Sequence, residues 1–499
     1  MTPARDPAHI KDLIPSAVAG TQRAAETTPE RLLRHAAVLG LRGRAGLLPD
    51  AVRSEVQPGY RDERPAASPG ATTVLQAILA QNDASLVREW VRLADGAGVR
   101  VLARQAPTLL DVLSGATYEI FTNADRDRAA IAPALGRVLD ATGAWLAALR
   151  PQWRKLISGT TLPTNFDEDW SSGTLAQRRE ILRTLINVDA ARAITLISST
   201  WSADGSDARR DFIKILSEKP DLAYEPLLEP ALDDRSKQVR ELAATLLART
   251  RGTKLRARMN DRVRDMTAVT RDRRTVTITL SPPKTFPKDF ARDYIEEQAD
   301  SGRGNRAWWL EQVFSAADLS FHAEHTGLDP GAFLEAIKDD DYFNAALSGL
   351  AAAAGHQPDA RWASVLLPHL LAGKKPRIDL AQHVLDALPA SESEPLRLSA
   401  AARESLPRDM GLLLIQTLSA EWPHAYSAAA LDHLERCQTK YPWSLDETIK
   451  TFSRRISPAL ADRFEQVVIN LTSGKPTPSL TAAIERLRLR SQLHKEFSA

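Results

Sequence analysis

The 499-residue chain contains a single cysteine, Cys437. One thiol excludes an intramolecular disulfide and any zinc or iron–sulfur site built from several cysteines, which leaves Cys437 a packing role. Aromatic residues make up only 6% of the chain and β-branched runs are scarce, so the raw material of a β-sandwich or barrel is missing. An excess of one charge is missing too. The 65 Lys and Arg face 63 Asp and Glu, and a net charge of +2 gives no global attraction to nucleic acid or acidic membranes. No stretch approaches the roughly 18 apolar residues that cross a membrane. The opening MTPARDPAHIKDLIPSAV has no signal-peptide apolar core, so a cytoplasmic protein is expected. The motifs G-x4-G-K-S/T, G-x-G-x2-G, H-E-x2-H and G-x-S-x-G are all absent. Bound nucleotide, zinc-protease chemistry and a serine-hydrolase elbow therefore have no local support, and no cofactor is expected.

What is present is helix-forming. Ala, Leu and Arg dominate, and 43% apolar with 26% charged residues is ordinary for a globular protein, so the class expected is all-α. A chain of this length exceeds the roughly 250–300 residues of one core. Three regions are expected: 1–157, helical; 158–270, a helical-repeat region; and 271–499, helical with a short β insert at its start.

The stretch AYEPLLEPALDDRSKQVRELAATLLART (223–250) carries the repeat argument. Leu227, Leu228 and Leu232 sit at helical spacing, and Asp233 and Asp234 offer oxygens to the free N–H groups of a second helix. In that helix Val239, Leu242, Ala243, Leu246 and Leu247 form one apolar face, and Ala243 with Ala244 lets a neighbour approach closely. The pattern formed by Asp234, Val239, Arg240, Ala243, Ala244 and Leu247 resembles the second helix of HEAT repeats. In that family the Asp and Arg bond to the next repeat, a structural role. Short amphipathic helices are expected before it, at 175–186, 189–201 and 206–217, as stacked helix pairs require, and helices resume after it, beginning with 290–300. Their spacing reads as irregular, a degenerate α-solenoid.

Residues 249–274 are strongly basic: ten Lys and Arg against Asp261, Asp265 and Asp272. Arg251, Lys254, Arg256, Arg258, Arg262 and Arg264 are candidates for phosphate or partner contacts. The plainer alternative is a solvated helix bridged to acidic neighbours. TVTITL (275–280) then alternates with period two, the one clear strand signal. Trp308 and Trp309 are adjacent, so one narrow helix face cannot bury both; Trp309 points inward and Trp308 is a candidate partner contact. His322 and His325 are three apart with Glu324 between them, but no third metal ligand is apparent, and His356, His369 and His383 are scattered.

Five local patterns together resemble a family of bacterial proteins of about this length. They are LIPSAVAGTQR (13–23), GAWLAALRPQW (143–153), the W-x2-G-T-x3-R-R-E-x-L-R spacing from Trp170 to Arg183, LDDRSKQVRELAATLLAR (232–249) and RAWWLEQVFSAADLSFH (306–322). The resemblance implies an all-helical, HEAT-like protein with no catalytic residue to carry over. It also implies an accessory role beside SWIM zinc-finger proteins, MoxR-type AAA ATPases and von Willebrand A-domain proteins, whose genes tend to lie alongside.

Overall fold

The computed structural model describes residues 64–115, 131–139, 146, 150, 152–153, 156, 166–272, 276–299, 302–418, 422–436 and 442–498. The helices expected within 9–48, the face formed by Trp145 and Leu149, Cys437, Arg273 and Arg274 lie outside the described residues.

The class is all-α with one small β element. Helices α1 (Pro69–Ala80), α2 (Ala84–Gly96) and α3 (Ala106–Gly115) come first, and residues 131–139 are helical as well. Local chemistry sets their starts: the Ser68 hydroxyl accepts from the Ala71 N–H at 3.0 Å, and Asp83 accepts from Ser85 and Leu86. Next come α4 (Phe166–Ser172), α5 (Leu175–Val188), α6 (Ala190–Thr200), α7 (Ser206–Leu216), α8 (Glu225–Ala231), α9 (Lys237–Arg249) and α10 (Lys254–Met266). Helix α4 precedes the first helix expected in this region, at 175–186. Its Trp170 is buried against Phe212, with ring centroids 5.3 Å apart, and that anchor orders the turn.

Strand β1 (Thr267–Arg271) leaves α10 without a break and pairs antiparallel with β2 (Val276–Leu280), Thr267 opposite Leu280 and Arg271 opposite Val276. The short α11 (Lys288–Arg292) follows. A helix is expected through 300, but Tyr294 adopts a left-handed φ of 60° and the Ile295 N–H returns to the Phe290 carbonyl at 3.0 Å. The segment beyond is held instead by side chains, as the Trp309 indole donates to the Glu297 carbonyl at 2.8 Å.

The remaining helices are α12 (Asn305–Ala316), α13 (Leu319–Thr326), α14 (Pro330–Ile337), α15 (Phe343–Ala354), α16 (Ala360–Leu370) and α17 (Ile378–Ala387). They continue as α18 (Ala390–Ala401), α19 (Arg408–Gln416), α20 (His424–Glu435), α21 (Pro442–Arg455), α22 (Ala461–Leu471) and α23 (Pro478–Ser498). Their packing skips helices along the chain: α10 lies on α12, α12 on α15 (a step of three), then α15 on α17, α17 on α19, α19 on α21, and α21 on α23, each a step of two. A second series runs α14, α16, α18, α20, α22, and α5, α7 and α9 pack on one another in the same way. Alternate helices thus form rows.

Three apolar clusters result. One runs from Trp170 to Leu414 and passes through the 270/271 position without interruption. A second lies among α1–α3 and residues 131–156, and a third runs from Ala401 to Leu487. Helix α23 serves both of the latter, with Leu480 and Leu487 in the third cluster and Leu493 in the second.

The tightest contact is α12 on α15. A Cβ at Gly349 would stand 2.6 Å from both the Glu311 carbonyl oxygen and the Phe314 Cβ. Gly349→Ala is therefore expected to cost about 1–3 kcal/mol by overpacking, although Ala gains roughly 1 kcal/mol over Gly in helix propensity. Gly96 in α2 has nothing within 4 Å of an added Cβ, so Gly96→Ala is the stabilising control. Thermal melts of the two variants should move in opposite directions.

Candidate functional site

The joints between helix pairs are built from arginine and aspartate. Arg178, Arg209 and Arg240 are each the fourth residue of their helices, α5, α7 and α9, and lie 31 residues apart. Arg178 donates to both Asp204 oxygens at 2.8 Å. Arg209 reaches Asp234 at 3.0 and 3.1 Å and also donates back to the Asp204 carbonyl. Arg240 keeps the backward bond, to the Asp234 carbonyl at 2.7 Å. The interval extends to Trp170 and Trp201 and to the buried sets Ile181/Phe212/Ala243 and Leu185/Leu216/Leu247. Val239 and Ala244 are buried on the same face of α9. These residues tie one pair to the next.

The basic segment divides. Arg256 pairs with Asp318, while Arg258 makes a two-pronged bond to Asp293 (2.6 and 2.9 Å) and meets Glu229 at 2.9 Å. Arg262 meets Asp289 at 2.9 Å and Asp293 at 2.7 Å. Burial alone would lower the Arg258 pKa, but the bonds from Asp293 and Glu229 outweigh it and hold the value above the ordinary one. For Arg256 burial prevails over Asp318, and its pKa is lowered. Arg256 and Arg262 are buried and Arg258 is half-buried. Their charge is met by carboxylates: Glu229 of α8, Asp289 of α11, Asp293 just after α11 and Asp318 just before α13. Arg251, Lys254 and Arg264 are exposed, Arg264 with its partner Asp261 three residues before it.

Trp308 is half-buried beneath the Arg303 guanidinium, 5.6 Å above its ring, while Trp309 is buried against Phe286. His322 is buried among Phe314, Phe333 and Trp362, and His325 stacks on Phe321 and meets the Thr267 carbonyl at 3.3 Å, so the two imidazoles do not converge. Among the described residues no three His, Cys, Asp or Glu are placed to hold a metal.

Two histidines that read as scattered do come together. His356, just past α15, and His383 of α17 meet edge to face with ring centroids 5.0 Å apart. The Arg249 charge at the end of α9 acts on both. Burial first, then Arg249, pushes His356 down to about 4. Burial and Arg249 lower His383 as well, while Asp386 pulls the other way. This cluster joins the outward end of the basic segment to the later helix row.

A family model described as a family of unknown function, DUF5691, matches residues 5–497. The chain belongs to this family. A search of curated proteins finds no match. Among solved structures, an engineered protein is similar at 12% identity and a TM-score of 0.26, over 87% of this chain and 100% of that one.

For this DUF5691 member the missed sequence signal was one of interval. The same letter, Arg, recurs at 178, 209 and 240, and each time a Thr, Gly or Ser four residues earlier is the N-cap. The pairing of His356 with His383 had no such signal, since tertiary packing alone creates it.

Proposed function

We propose that the protein is a HEAT-like scaffold of stacked helix pairs that binds other proteins along the outward faces of its helix rows. The observation that carries this reading is the packing of alternate helices on one another, joined by Arg–Asp bonds at a 31-residue interval. Stacked repeats present long faces of this kind for recognition, and a fold by itself names no partner. The partner classes come from the resemblance set out above: a MoxR-type AAA ATPase, a von Willebrand A-domain protein or a SWIM zinc-finger protein.

The test is affinity purification of the tagged full-length protein from its native host, with and without nuclease, followed by reconstitution with the recovered partners. Stoichiometric partners that survive nuclease and rebind after purification are expected. Loss of every protein partner on digestion would overturn the reading in favour of nucleic acid. That second reading is favoured by one observation, the exposure of Arg249, Arg251 and Lys254 at and just after the end of α9. Its discriminating variant is Arg251→Glu with Lys254→Glu. Reversal of Arg256 or Arg258 would strand buried carboxylates and report on folding instead. For the scaffold reading, DNA retention with a shallow salt slope, unchanged in the double variant, is expected.

A further inference from the structure

We propose that His356, His383 and Arg249 form a proton-linked site for a tetrahedral oxyanion of the phosphate or sulfate type. Three observations meet there. First, two imidazoles from different elements are held edge to face with ring centroids 5.0 Å apart, and His356 is bonded to the Gly355 backbone. Second, Gly355 is shaped to that pairing. Its backbone, φ −67° and ψ −10°, is open to any residue, yet a Cβ there would lie 1.9 Å from His383 Cδ2 and Nε2. What keeps a side chain out is the His383 ring, and the ring's seat beside His356 depends on the glycine.

Third, the charges around the pair select an anion. Arg249 is exposed on α9 and acts on both rings. Arg256 of α10, which also faces His356, is bound to Asp318. Asp386 of α17, one turn past His383, is bound to Arg397 of α18, which leaves it a weak counterweight. A divalent cation would meet Arg249 without a carboxylate committed to it, whereas an oxyanion gains Arg249 at once. As the anion binds, each imidazole becomes a better base and takes up a proton, so binding and protonation reinforce each other.

Sulfate is the sharper probe because it stays a dianion between pH 5 and 8, and inorganic phosphate is the second. Calorimetric titration of the full chain with sulfate, in two buffers of different ionisation enthalpy, reads affinity and proton uptake together. Expected is net proton uptake near pH 6 and affinity at least tenfold weaker at pH 8. The same loss is expected in His383→Gln and in Arg249→Gln, with melting temperatures close to that of the parent chain. Gly355→Ala should weaken sulfate by displacing the His383 ring even though both histidines remain. Absence of sulfate and phosphate binding at millimolar concentration overturns the proposal. So does binding without proton uptake, or binding unchanged in both His383→Gln and Arg249→Gln. Tight zinc binding that shifts the NMR signals of both histidines, in place of anion binding, overturns it as well.

Discussion

Arg490→Met is expected to destabilise the protein by about 3–5 kcal/mol, the range found when one partner of a buried ion pair is removed. Arg490 of α23 is almost fully buried and donates to Glu89 of α2 at 2.8, 3.0 and 3.2 Å. Its remaining Nη1 donates to the Ile456 carbonyl at 2.8 Å. His494, one turn later on α23, also meets Glu89, at 2.7 Å. Burial would raise the Glu89 pKa, but the bonds from His494 and Arg490, with the charge on Arg490, hold it below the ordinary value. Without the guanidinium the carboxylate is left buried and charged with only His494 to meet it. The alternatives are to take up a proton or to pull α23 away from α1 and α2. The apolar contacts there are Leu493 in the cluster, Leu489 beside it and Phe497 edge-on to Trp90 at 5.8 Å.

Because three apolar clusters need not unfold together, the informative readout is local. Hydrogen exchange should quicken first in α1, α2 and α23, and leave α5, α7 and α9 protected. The double variant Glu89→Leu with Arg490→Met should recover most of the loss, since a buried pair replaced by apolar side chains is often close to neutral. Equal quickening across all helices in the single variant would show that the pair does not specifically fasten α23. The sign of the acid dependence is also fixed. A carboxylate depressed by folding contributes stability that is present above its unfolded pKa of about 4.5 and is lost as pH falls through the folded value.

These contacts mark the limit of what the sequence discloses. Helix positions follow from local rules, and 175–186 and 206–217 were expected within two residues of α5 and α7 because caps and apolar periodicity are local. The repeat itself was only partly legible. Ala243 and Ala244 match the small-residue HEAT pattern, but the equivalent positions hold Ile181 and Leu182 in α5 and Phe212 and Ile213 in α7. The face is the same in shape and different in volume, and the constant feature is the arginine one turn earlier. Strand β1 was hidden because α10 runs into it with no proline or glycine between Met266 and Thr267. The partners of the α10 arginines were hidden for a different reason. A run of cations reads as solvent-facing, yet its neutralising carboxylates Glu229, Asp289, Asp293 and Asp318 arrive from outside the segment. Sequence distance conceals such pairs; folding brings them within 3 Å.

The buried imidazole of His322 supplies the second large effect, and its sign runs with acid. The ring is enclosed by Phe314 at 4.8 Å, Phe333 at 5.3 Å and Trp362 at 6.0 Å. Among the described residues neither ring nitrogen has a hydrogen-bond partner. Burial first, then the nearby His325, pushes its pKa down to about 3 from an ordinary 6.5. A histidine depressed by folding is neutral when folded and takes a proton more readily when unfolded. Its contribution is fully present above about pH 6.5 and is lost as pH falls toward 3, at up to about 1.4 kcal/mol per pH unit. His356 and His383 act in the same direction, so the slope of the parent chain alone does not isolate His322. The difference between His322→Leu and the parent does. Leu fills much of the same space without two unmet polar nitrogens, whose burial costs roughly 1–3 kcal/mol each way it is measured. The variant should therefore lie near or above the parent at pH 7.5 and pull ahead as pH falls, by more than 1 kcal/mol between pH 6 and pH 5 in urea unfolding. Parallel curves over that interval would mean that the ring takes its proton without opening the aromatic cluster, and that this region yields far more easily than its close packing implies.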